Sequence, residues 1–154
     1  MNLGLSQTGQ SIVLGGLSAG VLDFIAACVT NASRGVTPMR IGQSIASGVL
    51  GRAAFNGGYK TAALGVLLHF VIAFGAATVF CLASHKLQWL VEHPWLSGAL
   101  YGVLVFWFMQ LIVLPLSAIS FQQNFSWQVV ATGMIVHIVC VGWPIALAAR
   151  WHAG

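Results

Sequence analysis

Apolar runs, each about as long as a lipid hydrocarbon layer is thick, alternate along the chain with short polar stretches. A membrane-spanning helix needs about 20 mainly apolar residues. Four segments meet that length, roughly 11–30, 61–84, 95–116 and 127–149. None shows the alternating polarity of a barrel strand. Backbone groups in lipid must find partners within their own segment, so helices are the expected form. The pattern therefore predicts an all-α protein, a four-helix transmembrane bundle forming one domain over 1–154.

The connection between the first two spans, 31–60, has a pattern of its own. Thr37-Pro38 reads as an N-cap followed by proline at the first helical position. Gly57-Gly58 reads as a helix stop. Between them Ile41, Ile45, Val49 and Arg52 fall on one stripe, while Arg40, Gln43, Ser44 and Ser47 lie mostly elsewhere. This predicts an amphipathic connecting helix over about 38–55, lying at the interface or dipping into the bundle. The other connections are short: Ser84 to Pro94 carries His85, Lys86, Glu92 and His93, and Ser117 to Ser126 is uncharged. Trp89, Trp95, Trp127 and Trp151 fall where spans meet water, as an aromatic belt does.

Composition narrows the class further. Of 154 residues, 58% are apolar and 5% charged, six basic and two acidic. Average soluble domains carry roughly 25% charged residues. So few charges exclude an ordinary cytosolic domain, a disordered chain and a nucleic-acid binder; the expected surroundings are the lipid bilayer. The net charge of +4 reflects scarce acids, not a basic patch. Cys28, Cys81 and Cys140 sit inside apolar runs with no CxxC, which predicts three small buried hydrophobes. The stretch Met1 to Gln7 has no basic region and no clear cleavage site, so it is expected to be an uncleaved start. Arg34, Arg40, Arg52 and Lys60 on the long connection outnumber Lys86 and Arg150 on the other side, which favours a cytoplasmic 31–60 connection.

A repeat lies within the spans. Gly16-Leu-Ser-Ala-Gly20-Val-Leu-Asp-Phe24 matches Gly98-Ala-Leu-Tyr-Gly102-Val-Leu-Val-Phe106 at five of nine positions. Gly65-Val-Leu-Leu-His69 aligns with Gly133-Met-Ile-Val-His137. Each hairpin of spans reads as a copy of the other, related by an axis along the membrane normal.

Small residues mark the faces where helices meet: Gly16, Ala19, Gly20, Ala26 and Ala27 in the first span, Ala62, Gly65, Ala73 and Ala76 in the second, Gly98 and Gly102 in the third. The polar residues share those faces. Asp23 lies near the middle of the first span, where a charge costs at least ~2.5–3.5 kcal/mol. A cation or a bound proton must offset that cost. Arg52 is the first candidate partner if the connecting helix dips inward, with Arg34 and Arg40 as alternatives. His69 and His137 fall near the midpoints of spans that run the same way. They could pack structurally, relay protons, hold a small ligand or a metal, or ligate a b-type haem axially. Gln110 could lend a hydrogen bond to any of these. The candidate ligand or proton site is thus Asp23, Arg52, His69, Gln110 and His137, with His69 and His137 as candidate haem ligands. Pro115 should end the third span. Pro144 should kink the fourth, because the carbonyl of Cys140 loses its helical partner.

No phosphate-binding loop, nucleophile elbow, zincin or kinase set is present. An enzyme is therefore not expected unless it borrows a redox cofactor. The segments Gly51-Arg-Ala-Ala-Phe-Asn-Gly-Gly58, Leu68-His-Phe70, Gly98-Ala-Leu-Tyr-Gly102, Leu114-Pro-Leu-Ser117 and Gly142-Trp-Pro-Ile-Ala-Leu-Ala-Ala-Arg150 resemble a group of uncharacterised bacterial multi-pass inner-membrane proteins. More distantly, they resemble the YagU-like membrane proteins. The resemblance runs from Gly16 to Arg150. It implies a bacterial inner-membrane location and a four-helix body, and brings no activity. Three functions are expected to compete: a unit that binds or transports a small ligand, ion or proton; a haem redox module; and a homo-oligomer or accessory subunit of a larger membrane complex.

Overall fold

A computed structural model describes residues 6–118 and 126–151. Most of the expected N-terminal start and of the connection between the last two spans lies outside the described residues. The described chain is all helix. It comprises α1 (Gln7–Ala32), α2 (Pro38–Leu50), a 3-10 turn (Gly51–Asn56), α3 (Gly58–Ser84), the short α4 (Trp89–Glu92), α5 (Pro94–Phe108), α6 (Trp127–His137) and α7 (Trp143–Trp151). A π-helical turn, Met109–Val113, prolongs α5, and another, Ile138–Gly142, joins α6 to α7.

Four helical stretches are long and apolar enough to cross a membrane: Gln7–Ala32, Gly58–Ser84, Pro94–Val113 and Trp127–Trp151. The chain is a multi-pass membrane protein with a four-helix body. Its lipid-facing sides carry large apolar residues such as Leu14, Ile25, Leu67, Val79, Leu104 and Ile135, all exposed. The interior is built from small ones: Ala19, Ala77 and Ala146 are fully buried. This inverts soluble-protein logic, because lipid offers large apolar groups as good a home as the protein does, and close backbone approach supplies the packing energy.

Both prolines act through the same device. Each π turn ends two residues before a proline, Pro115 in one case and Pro144 in the other. Proline's ring and missing N–H disrupt the ladder in the preceding turn. There the chain widens to a five-residue spacing, with Leu114 N–H on the Met109 carbonyl at 2.9 Å. In the fourth span, where a kink is expected, the chain forms such a π turn.

The connecting helix begins as expected. The Thr37 hydroxyl accepts from Arg40 N–H at 3.3 Å, and Pro38 opens the helix. Two expectations need correction. The α-helix ends at Leu50, not near residue 55, because Gly51 takes φ +62°, ψ −151°, a conformation closed to side-chain-bearing residues. The 3-10 turn carries the helical chain on to Asn56, where Gly57 stops it as expected and then leads into α3. The buried face also differs from the expected apolar stripe: Gln43 (2% exposed) and Ser47 are buried with Ile41, Gly42 and Ala46, while Val49 is 64% exposed. Gln43 Nε2 donates to the Gly58 carbonyl at 3.2 Å, and its Oε1 accepts from Arg40. Polar and small groups turn inward because protein satisfies them and lipid does not.

α2 is bound to the bundle at both ends. A Cβ on Gly42 would lie 2.7 Å from the Ala62 carbonyl of α3, and one on Gly65 would strike the Gly42 carbonyl. At the other end Ala118 N–H donates to the Gly48 carbonyl at 2.8 Å. The helix therefore bridges from the start of α3 to the end of the α5 span.

Candidate functional site

Asp23 of α1, His69 of α3 and His137 at the end of α6 line one internal cavity of about 100 Å³. Ile45 of α2 and Met109 of the first π turn also line it. The glycines set this geometry. At Gly20 the missing Cβ leaves room for the Phe70 ring, which would otherwise sit 2.6 Å away. At Gly102 it lets α5 approach the His137 carbonyl, 2.7 Å from a Cβ built there. The π turns begin at Met109 and directly after His137, so both widened turns border the cavity. Single π turns recur beside functional sites for this reason.

Each histidine is oriented by a glycine carbonyl and an aromatic ring. His69 Nε2–H donates to the Gly20 carbonyl at 2.9 Å, and the ring lies 5.7 Å from Phe24. His137 Nδ1–H donates to the Gly133 carbonyl at 2.9 Å, and the ring lies 5.4 Å from Phe106. Phe24 and Phe106 are equivalent in the sequence repeat, as are the two histidines, and the folded chain forms both cross pairs. A neutral imidazole has one N–H. Both rings spend it on backbone, which leaves Nδ1 of His69 and Nε2 of His137 as acceptors.

Asp23 breaks the repeat, since Val105 occupies its equivalent place and lines the same cavity. The half-buried Asp23 forms no ion pair or hydrogen bond among the described residues. It borders a second space instead. A cleft of about 620 Å³ runs between α1 and α6, lined by Asp23, Thr30, Asn31 and Arg34 on one wall and Gln128, Thr132 and His137 on the other. Its size falls in the range of small-molecule sites, roughly 300–1,000 Å³. Asp23 and His137 belong to both spaces, so they form the threshold between cleft and inner cavity.

The remaining expected site residues lie elsewhere. Arg52 is exposed in the 3-10 turn, makes no ion pair with Asp23 and lines neither space. The α-helix stops at Leu50, two residues before it, so it is not carried inward. Arg40 is spent on Phe55, stacking over the ring at 4.3 Å and donating to its carbonyl. Arg34 is the cation that shares a space with Asp23. Gln110 sits half-buried in the first π turn and does not line the inner cavity. The residues do not fit a haem in this arrangement. His69 Nε2 is committed to Gly20, and about 100 Å³ holds a few waters (each fills roughly 30 Å³ in the liquid) and no macrocycle. Among the described residues no three His, Cys, Asp or Glu side chains converge on a point that could hold a metal ion.

The opposite end of the bundle holds a separate polar vestibule of about 400 Å³, lined by Gln7, Thr8, Ser84, His85, Gln88 and Glu92. Thr8 and His85 bond across it at 3.0 Å. Ala19, Ala77, Phe80 and Ile145 are packed at 0–1% exposure between the two ends. Sequence reasoning missed most of the cleft, although a signal for it exists. Asp23, Ala27, Thr30 and Asn31 recur at helical spacing down one face of α1, with Arg34 continuing the spacing just past its end, and Gln128 and Thr132 do the same before His137.

No family model, curated protein or solved structure matches the chain.

Proposed function

We propose that this protein binds, and moves into the membrane, an ion, a proton or a small polar ligand, at a site made by Asp23, His69 and His137 and reached through the cleft between α1 and α6. One observation carries the reading: the only acid within the spans and a central histidine border both an open, partly polar cleft and a smaller inner cavity. An ionisable group at that depth is a functional hypothesis by default, because its insertion cost persists only where selection keeps it. A water-filled cleft lowers the cost without removing the carboxylate's demand for a counter-charge. We further assign the chain to a bacterial inner membrane with its 31–60 connection in the cytoplasm, on the basic-residue count and on the likeness to YagU-like proteins. That likeness supports the location and no chemistry. Self-association, or docking to a larger membrane complex, is a second reading. It is favoured by Gly75, which faces outward from α3 with open space where a side chain would be.

Cysteine accessibility tests the proposal. With Cys28, Cys81 and Cys140 replaced, Thr132→Cys in the cleft should react with a membrane-impermeant thiol reagent, and Ala77→Cys in the packed layer should not. An unreactive Thr132→Cys would mean a dry cleft and no route to Asp23. For the second reading, a stoichiometric partner should copurify from native membranes.

A further inference from the structure

We infer that the inner cavity is a site for a small cation that donates hydrogen bonds: ammonium, or the hydrated proton that shares its chemistry. The inference rests on the proposed function and names its ligand class. Every polar side-chain group that the cavity offers is an acceptor. Asp23 as a carboxylate only accepts. Backbone carbonyls take the single N–H of His69 and of His137, so the second nitrogen of each ring also accepts. The rest of the lining, Ile45, Val105, Met109 and Val141 among it, is apolar. An anion would meet a carboxylate and two lone pairs and find no donor.

The competing cations are excluded by count and convergence. Hard alkali and alkaline-earth ions want a shell of several oxygens, and the side chains here supply two, both from Asp23. Transition metals suit two imidazoles and a carboxylate, but these three groups do not converge on one point. A donor cation tolerates this looser arrangement, because its hydrogen bonds can be relayed by the few waters for which the cavity has room. Two nitrogens and one carboxylate match the donors of ammonium, and Asp23 has no other charge partner to give up.

The charged and titratable groups around Asp23 are His69 on α3, His137 and Cys140 in the last span, and Arg34 at the cleft mouth. Arg34 lies beyond the end of α1, eleven residues along the chain from Asp23, and the two form no ion pair among the described residues. Ile45 enters the cavity from α2.

The test is thermal unfolding of the full chain in detergent, followed by tryptophan fluorescence at matched ionic strength. A ligand that binds the folded state raises the midpoint in proportion to its occupancy. Ammonium chloride should raise the midpoint by several degrees in a saturable way at fixed pH, while sodium and potassium chloride should not. Asp23→Asn should abolish the shift, and His93→Ala, remote from the cavity, should leave it intact. If ammonium does nothing but acidification in sodium chloride raises the midpoint, and Asp23→Asn removes that response, the occupant is the proton. Equal shifts from ammonium and sodium, or none from ammonium and acid alike, overturn the inference. If Asp23→Asn does not fold, the wild-type comparison of ammonium with sodium still decides. Reactivity of Thr132→Cys separates the two failures. A reactive cleft without a donor-cation response leaves a polar site with another ligand, and an unreactive one removes the site.

Discussion

The last span contains two unlike halves. α7 buries Ile145, Ala146, Ala148 and Ala149 against α1, α3 and α5. α6, one π turn earlier in the same span, buries no residue fully. The difference lies in side-chain size. Toward α7, Gly15 and Ala77 let backbones close until a Cβ on Gly15 would meet the Ile145 Cα at 3.4 Å. Toward α6, α1 presents Asp23, Thr30 and Asn31, followed by Arg34 in the turn beyond it, none of which can pack dry. Dense packing and an open cleft are thus the two outcomes of one helix pair, divided where the small residues give way to polar ones. The dense half is closely packed, and the loose half carries the polar groups of the candidate site.

The largest expected break in that contrast is Gly142→Val. Its side chain would strike the Gly98 carbonyl, which is backbone and cannot move aside. We expect loss of the folded protein, read as absent monodisperse material on size-exclusion chromatography. Ile145→Ala, at a fully buried position, should destabilise by about 2–5 kcal/mol and lower the unfolding midpoint in detergent. Asp23→Asn should act the opposite way. It removes a charge that no protein cation neutralises, so stability should rise by about 1–3 kcal/mol. A marked fall instead would mean that Asp23 is structural, which would join the two halves into one role. Gly51→Ala forces a side chain into a glycine-only conformation and should cost about 1–3 kcal/mol, read as easier proteolysis of the 51–56 turn. The smallest effect expected is from Tyr101→Phe in the dense half. It deletes a 2.7 Å hydrogen bond to the Ala76 carbonyl and should cost about 0.6–1 kcal/mol on the same unfolding assay.

The repeat clarifies why one site is asymmetric. Phe24–His69 and Phe106–His137 are made twice, but the glycine one turn before each histidine serves a different neighbour. Gly133 receives the Phe106 ring, whereas Gly65 receives α2 through Gly42. Among the described residues α2 has no counterpart in the second hairpin. Its insertion brings Ile45 to the cavity, and Asp23 in place of a second valine gives the cavity its charge.

The apolar run lengths by themselves determined the four spans, because lipid thickness fixes helix length and the absence of water fixes helix as the form. The residue order also determined the cap at Thr37 and the breaks before Pro115 and Pro144, which follow from local sterics and hydrogen-bond inventory, whereas the bond from His69 to the Gly20 carbonyl of α1 came only with assembly. The direction of α2's faces was decided only in three dimensions. Gln43 and Ser47 go inward because partners wait there, and a periodicity plot knows nothing of partners. Assembly likewise gave Asp23 a cleft instead of Arg52. Whether a carboxylate meets a cation or a cleft depends on which helices close tightly, and that depends on matching small residues across neighbours far apart in the chain.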